Sequence, residues 1–293
     1  YVIEANGLAK SYGDFQALKP SCFKVPLGRI LGVIGANGAG KSTLCNIVCG
    51  ITDADSNSGD VQFSQVKHAP LSRKDAEAVG IRIVMQELNL IDDLSVAENL
   101  YFGSLPRKRG LVDFNTLYAD AREVFGEMGL ANVDPRVPLR ELGVGQQQLI
   151  EIGRELLHPC KLLILDEPTA ALTDPQIELL FEKIESLRAG GTSVIYVSHR
   201  MGEIRRIADR VSVLRDGESV LTSAVADISV EEIVRQMAEE PVRAFDRRSD
   251  KNVSTALKVR DLSTSELLRD IDLDIHFGEV LGIAGLMGSG RTE

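Results

Sequence analysis

The stretch ILGVIGANGAGKST, Ile30 to Thr43, decides the fold of this chain. It opens on an apolar run, Ile30–Ile34, and passes through Gly35–Ala36–Asn37–Gly38–Ala39–Gly40–Lys41–Ser42 into a helical pattern. Those eight residues fit G-x4-G-K-[ST], and a strand before with a helix after is the setting that pattern requires. A phosphate-binding loop is predicted. Gly35, Gly38 and Gly40 let successive backbone N–H groups turn inward on phosphate oxygens, and the following helix aims its positive end at the same place. Lys41 adds a point charge between the β- and γ-phosphates, and the Ser42 hydroxyl can ligate Mg²⁺. Asn37 and Thr43 are grouped with them as nucleotide contacts. An ordinary Gly-rich turn is the alternative reading of the bare pattern.

Outward from this loop, short apolar runs at Ile81–Met85, Leu162–Leu165, Ser193–Val197 and Val211–Leu214 alternate with helical patterns at Ile177–Arg188 and Met201–Ala208. Such alternation indicates βαβ units and a mainly parallel sheet, an α/β fold. Between about Leu88 and His158 the strand signal fades, and Phe114–Met128 and Gln146–Leu157 read as helices, so a helical subdomain inserted into the core is expected.

The run Leu162–Leu165 delivers Asp166 and Glu167 at a strand end, where ligands gather in open α/β sheets. Downstream of a phosphate loop, Asp166 is placed to hold magnesium, while Glu167 could polarise the water that attacks the γ-phosphate. Alone, the pair reads equally well as a solvated turn. His199 follows Val194–Val197 and Ser198 at another strand end, and a lone histidine there is more often structural. Gln86, ending Ile81–Met85, could sense both the metal and the attacking water; a polar residue at a strand end is its bland reading.

The sequence LGRILGVIGANGAGKST at Leu27–Thr43 returns as FGEVLGIAGLMGSGRTE at Phe277–Glu293, with Gly28, Gly32, Gly35, Gly38 and Gly40 matched by Gly278, Gly282, Gly285, Gly288 and Gly290. One copy of a domain over residues 1–238, a polar linker over 239–255 and the opening of a second copy over 256–293 are therefore expected. A chain that begins at Tyr1 and stops inside its second loop is expected to be a piece of a longer polypeptide.

The 293 residues carry 33 Lys and Arg against 43 Asp and Glu, a net charge of −10 that argues against a nucleic-acid surface over most of the chain. With 44% apolar and 26% charged residues, it reads as an ordinary globular protein of about two domains. No apolar run approaches the ~20 residues of a membrane span, and the opening residues do not show the charged-then-apolar pattern of a leader, so a protein neither integral to a membrane nor exported is expected. Cys22, Cys45, Cys49 and Cys160 form no CxxC pair and are expected to be reduced core thiols of a cytosolic protein.

The order of phosphate loop, Gln86, LGVGQ (Leu142–Gln146), LLILDEPTAALTD (Leu162–Asp174) and VSHR (Val197–Arg200) resembles the ATP-binding cassette (ABC) ATPases over the first 220 or so residues. The resemblance implies a P-loop NTPase core with an N-terminal antiparallel β subdomain, and ATP and Mg²⁺ as cofactors. It also implies that Tyr12 stacks on adenine, that Gln86 couples to a partner, that His199 contacts the γ-phosphate, and that Gly143, Gly145 and Gln146 cap ATP across a dimer. Within that superfamily, MQELNL (Met85–Leu90), VGQQQLIEI (Val144–Ile152), EPTAALT (Glu167–Thr173) and the Arg-bearing GSGRTE (Gly288–Glu293) resemble the tandem ATPase subunits of bacterial monosaccharide importers.

Such a subunit hydrolyses ATP at the cytoplasmic face of the cell membrane, under a transmembrane sugar permease fed by a periplasmic binding protein, with a second cassette in cis. An importer of nucleosides or signalling furanones, or a soluble ribosome-associated tandem protein, would share the core motifs. The acidic balance and short linker disfavour the latter. Two departures stand out: Gly143 where the family usually has Ser, and Arg291 in place of the second loop's Lys, which a planar guanidinium cannot imitate inside a phosphate cradle. In a head-to-tail sandwich both fall in one composite site, leaving one site built on Lys41, Asp166, Glu167 and His199 for hydrolysis.

Overall fold

The computed structural model describes residues 1–237, 254–264 and 268–284. Two compact units divide the chain, Tyr1–Pro241 and Val242–Glu293. In the first, β1 (Ile3–Tyr12) and β2 (Phe15–Val25) form an antiparallel hairpin that sets Tyr12 opposite Phe15. Next, β3 (Ile30–Ile34) leads through the glycine loop into α1 (Lys41–Val48). The strands β4 (Asp60–Phe63) and β5 (Val66–Lys67) extend the hairpin into a four-stranded antiparallel sheet, β2-β1-β4-β5.

After α2 (Arg73–Val79) and β6 (Ile81–Val84), the chain leaves the core for α3 (Val96–Leu100), the two-residue strands β7 (Arg107–Lys108) and β8 (Leu111–Val112), α4 (Phe114–Glu127) and α5 (Val144–Leu156). It returns through β9 (Leu162–Asp166), α6 (Asp174–Ala189), β10 (Ser193–Val197), α7 (Met201–Ile207), β11 (Arg210–Arg215), β12 (Glu218–Ala224) and α8 (Val230–Met237). In the second unit, β13 (Thr255–Leu262) pairs antiparallel with β14 (Ile271–His276).

The core sheet is six-stranded, ordered β12-β11-β3-β10-β9-β6, and parallel except at the β12 edge. Its central strands β3, β9 and β10 are buried at every position and carry near-continuous apolar runs because both faces are covered. Period two still sorts them. Leu162 and Ile164 of β9 join Leu44, Cys45 and Val48 of α1 in one core, while Leu163 and Leu165 join Leu149 and Ile152 of α5 and Phe181 of α6 in the other. Each such fully buried side chain is worth about 1.5–3 kcal/mol relative to an exposed one. The same parity carries Asp166 to the face that α1 covers.

Several expected bounds move. The strand expected to end at Met85 ends at Val84, so Gln86 lies beyond it in a bend. The helix at Ile177 begins at Asp174, where Pro175 occupies the first turn and the Gln176 side chain accepts from the Thr173 N–H at 2.9 Å. Hydrophobic spacing does not register a polar cap of that kind. The expected helical subdomain also carries the short β7–β8 pair.

The cysteines are all free, and Cys45 and Cys49 are buried, with burial pushing the Cys49 thiol up to about 12. Cys22 corrects the expectation of core thiols, since it is exposed on the outward side of β2. Among the described residues no helix is long and apolar enough to cross a membrane. The expected linker, save its last two residues, and Gly285, Gly288, Gly290, Arg291 and Thr292 lie outside the described residues.

Candidate nucleotide-binding site

Parallel register gathers the candidate residues. Across β3, β10 and β9, Val33, Val197 and Asp166 stand side by side, and Val84 of β6 lies opposite Leu165. Four parallel neighbours therefore release their chains at one edge: the glycine loop after β3, Ser198–His199 after β10, Glu167 after β9 and Gln86 after β6. The carboxyl edge of an open α/β sheet is where such folds bind ligands.

The loop turns into α1 through Gly40, at φ 94°. A Cβ there would stand 2.6 Å from the Ala17 carbonyl, so both the left-handed backbone and the close approach require glycine. Lys41 is buried, and its Nζ donates to the carbonyls of Gly35 at 2.9 Å and Ala36 at 3.0 Å. A cleft of about 230 Å³ runs over the loop, lined by Gly38, Gly40, Lys41, Ser42, Thr43, Ala17, Tyr12 and Phe15. Tyr12 is half exposed and has Lys10 Nζ 5.3 Å from its ring centroid. Phe15, across the hairpin turn, was not anticipated; the aromatic pair in YGDF (Tyr12–Phe15) was its available signal. Asn37 sits exposed at the loop tip.

Asp166 is buried beneath this loop. Burial pushes its carboxyl above the ordinary carboxylate range, against the opposing pull of a Ser42 hydrogen bond and of Lys41, with Glu167 adding to the rise. Its Oδ1 is buried with no protein partner. An orphaned carboxylate oxygen bonded through its residue to a hydroxyl at a helix start fits a hard divalent cation. Among the described residues no group of three or more His, Cys, Asp or Glu could hold a metal. Two protein ligands suit Mg²⁺, which keeps water and substrate phosphates in its remaining positions.

Glu167 adopts φ 50°, a left-handed turn that costs a non-glycine residue of order 1–3 kcal/mol. Its N–H is held by the Val197 carbonyl at 3.0 Å. Turned this way, its Oε2 stands 3.3 Å from His199 Nδ1. Behind this pair lies Glu203, a buried carboxylate on α7 that the sequence reading missed. Oε1 accepts from Thr169 Oγ1 at 2.8 Å and Arg200 Nη1 at 3.2 Å; Oε2 accepts from Tyr196 Oη at 2.9 Å and Ser198 Oγ at 2.8 Å. Nothing in the spacing singles it out, because its partners come from three separate elements.

Other candidates are not brought to the cleft. Gln86 is exposed and its side chain makes no hydrogen bond among the described residues. Gly143, Gly145 and Gln146 open α5, where Gln146 Oε1 accepts from the Gly143 N–H at 3.3 Å, and none of them lines the loop cleft. A link between the two regions was also unforeseen: Glu151 and Arg154 of α5 hold the backbone of Asn89, three residues past Gln86, at its N–H (3.3 Å) and carbonyl (2.8 Å).

A parallel sheet presenting a phosphate loop and a strand-end carboxylate pair at one edge defines a P-loop nucleotide-binding fold. The ABC transporter family model matches residues 18–170, and the chain belongs to that family. It is 40% identical over 292 residues to the ribose import ATP-binding protein RbsA of Chromobacterium violaceum, covering 99% of this chain and 58% of that one. To the xylose import ATP-binding protein XylG of Moorella thermoacetica it is 37% identical, with 100% and 60% covered. The chain thus spans less than two thirds of these relatives. An ATP-binding cassette of an ABC transporter, solved by crystallography, shares the fold at a TM-score of 0.70 and 24% identity, over 81% of this chain and 98% of that one.

Proposed function

We propose that this chain binds Mg-ATP and hydrolyses it to power a bacterial monosaccharide importer. The observation that carries the reading is the level register of Val33, Val197 and Asp166, which brings the loop, His199 and the carboxylates to one edge. The names of the two relatives, a ribose and a xylose import ATP-binding protein, support the sugar class.

In this mechanism Tyr12, aided by Phe15, stacks on the base, while the loop N–H groups and Lys41 hold the phosphates. Ser42 and Asp166 would hold Mg²⁺, which when bound neutralises developing charge on the phosphate oxygens. Glu167 orients and deprotonates the attacking water, and His199 steadies the γ-phosphate. Gln86 reports occupancy to the partner. The opening of α5 at Gly143–Gln146 caps nucleotide held by a second cassette, with its helix N-terminus facing the phosphates.

The second unit supports a second cassette in cis: moved back by the offset of the repeat, β13 falls within β1 and most of β14 on the end of β2, and Gly28 and Gly278 share a positive φ, at 62° and 76°. For the permease, a cleft of about 690 Å³ beside the Gln86 segment offers Arg73, Arg82, Glu155 and the 54% exposed ring of Phe102. The assembly would lie at the cytoplasmic face of the membrane. The test is to express the complete protein in its host and identify what co-purifies. A polytopic membrane protein with a sugar-binding partner is expected; recovery with ribosomes, or alone as a free ATPase, would overturn the transport reading.

A further inference from the structure

We propose that Glu203 is a positioning residue that holds His199 opposite Glu167. This rests on the ATPase reading above for its catalytic consequence, though not for its geometry. His199 is flanked by Ser198 and Arg200, and both side chains donate to the Glu203 carboxylate, at 2.8 and 3.2 Å. The Arg200 N–H adds a bond to Ser198 Oγ at 3.0 Å, closing the turn around the histidine. On the other side, Thr169 follows Glu167 by two residues and donates to the same carboxylate at 2.8 Å. Tyr196, on the strand that leads to His199, supplies the fourth donor at 2.9 Å.

One buried anion therefore fixes the turn that carries the imidazole and the segment that carries the base. The pair it sets needs such support. Glu167 sits in a strained turn, and His199 is 55% exposed, with too little packing to fix its own ring. A carboxylate can accept from all four donors at once; a carboxamide, with one acceptor oxygen, cannot. Four donors on one carboxylate tie the two strand-end segments together, the kind of fixed geometry that preorganises a site.

The test compares Glu203→Gln with wild type and places it in a cycle with His199→Ala in the full-length protein. With its resonances assigned by their loss in His199→Ala, the His199 ring can be followed by ¹⁵N NMR without nucleotide. Its resonances are expected to shift or broaden in Glu203→Gln while those of His68, His158 and His276 stay in place. In turnover assays, kcat should fall roughly tenfold or more, with KM for ATP within about twofold, and the loss should shrink to less than about twofold in the His199→Ala background.

Unchanged His199 resonances, or a full additional loss of kcat in the double variant, would overturn the proposal. Should Glu203→Gln not fold, Thr169→Val and Ser198→Ala each remove one donor and carry the same two readouts. A wild-type protein that hydrolyses no ATP would sink the ATPase reading, while the resonances still decide the positioning role.

Discussion

His199 Nδ1 stands 3.3 Å from Glu167 Oε2, the imidazole 55% exposed and the carboxylate side chain only 12%. The Glu167 carboxylate is thus nearly covered, while the imidazole beside it is open to solvent. Glu167→Gln keeps the shape and removes the basic oxygen, so nucleotide affinity should hold and turnover should fall by about 10²–10⁴-fold, trapping ATP. Filter retention of labelled ATP with a parallel phosphate-release assay checks this. Rapid hydrolysis by the variant would remove Glu167 from the role of general base.

Lys41 Nζ is held within the loop by its bonds to the Gly35 and Ala36 carbonyls. Lys41→Ala should weaken ATP binding at least roughly tenfold, since a bond to a charged group is worth about 1.5–3 kcal/mol. Lys41→Arg should do no better, because a planar guanidinium does not fit where a compact ammonium sits. Fluorescent-nucleotide titration of both variants separates lost charge from lost shape.

The burial of Asp166 carries a stability cost. Burial, the largest influence, raises its carboxyl pKa in the folded state. Below the ordinary unfolded value, about 3.9, the group is protonated in both states. As pH rises through that value and then through the raised folded one, the unfolded chain releases its proton first, and stability falls. Asp166→Asn should therefore melt higher than wild type at pH 8 without nucleotide, with the gap closing towards pH 4. With Mg-ATP present the order should reverse, since bound ligand then favours wild type. Thermal melts at both pH values decide it.

Gly143 and Gly145 should respond oppositely to serine. At Gly143 an added Cβ meets nothing within 4 Å, and the residue is the N-cap of α5, where serine exceeds glycine by a few tenths of a kcal/mol. At Gly145 the Cβ would stand 2.6 Å from the Ala171 carbonyl, an overlap that costs about 1–3 kcal/mol. Urea midpoints should rise slightly for Gly143→Ser and drop clearly for Gly145→Ser. In the complete protein, Gly143→Ser combined with Arg291→Lys should also raise turnover, since each change alone leaves the other departure in place.

What could be read from the chain alone was whatever is written in consecutive residues. The phosphate loop announces itself because its glycines, lysine and serine act within eight positions. The strands β3, β9 and β10 announce themselves because a sheet covered on both faces needs unbroken apolar runs. Even the face taken by Asp166 follows from strand parity. Where a boundary depends on polar capping, as at Thr173 and Pro175, hydrophobic spacing stopped short.

Tertiary structure alone decided which distant residues meet. Strand order interposes β10 between the loop strand β3 and the carboxylate strand β9, and so brings His199 to Glu167. Glu203 remained invisible for the same reason, since a polar hub is defined by partners from separate elements. Local sequence encodes backbone conformation and burial through short-range sterics and periodicity. The site arises when parallel pairing levels four strand ends at one edge, and no single segment carries that information.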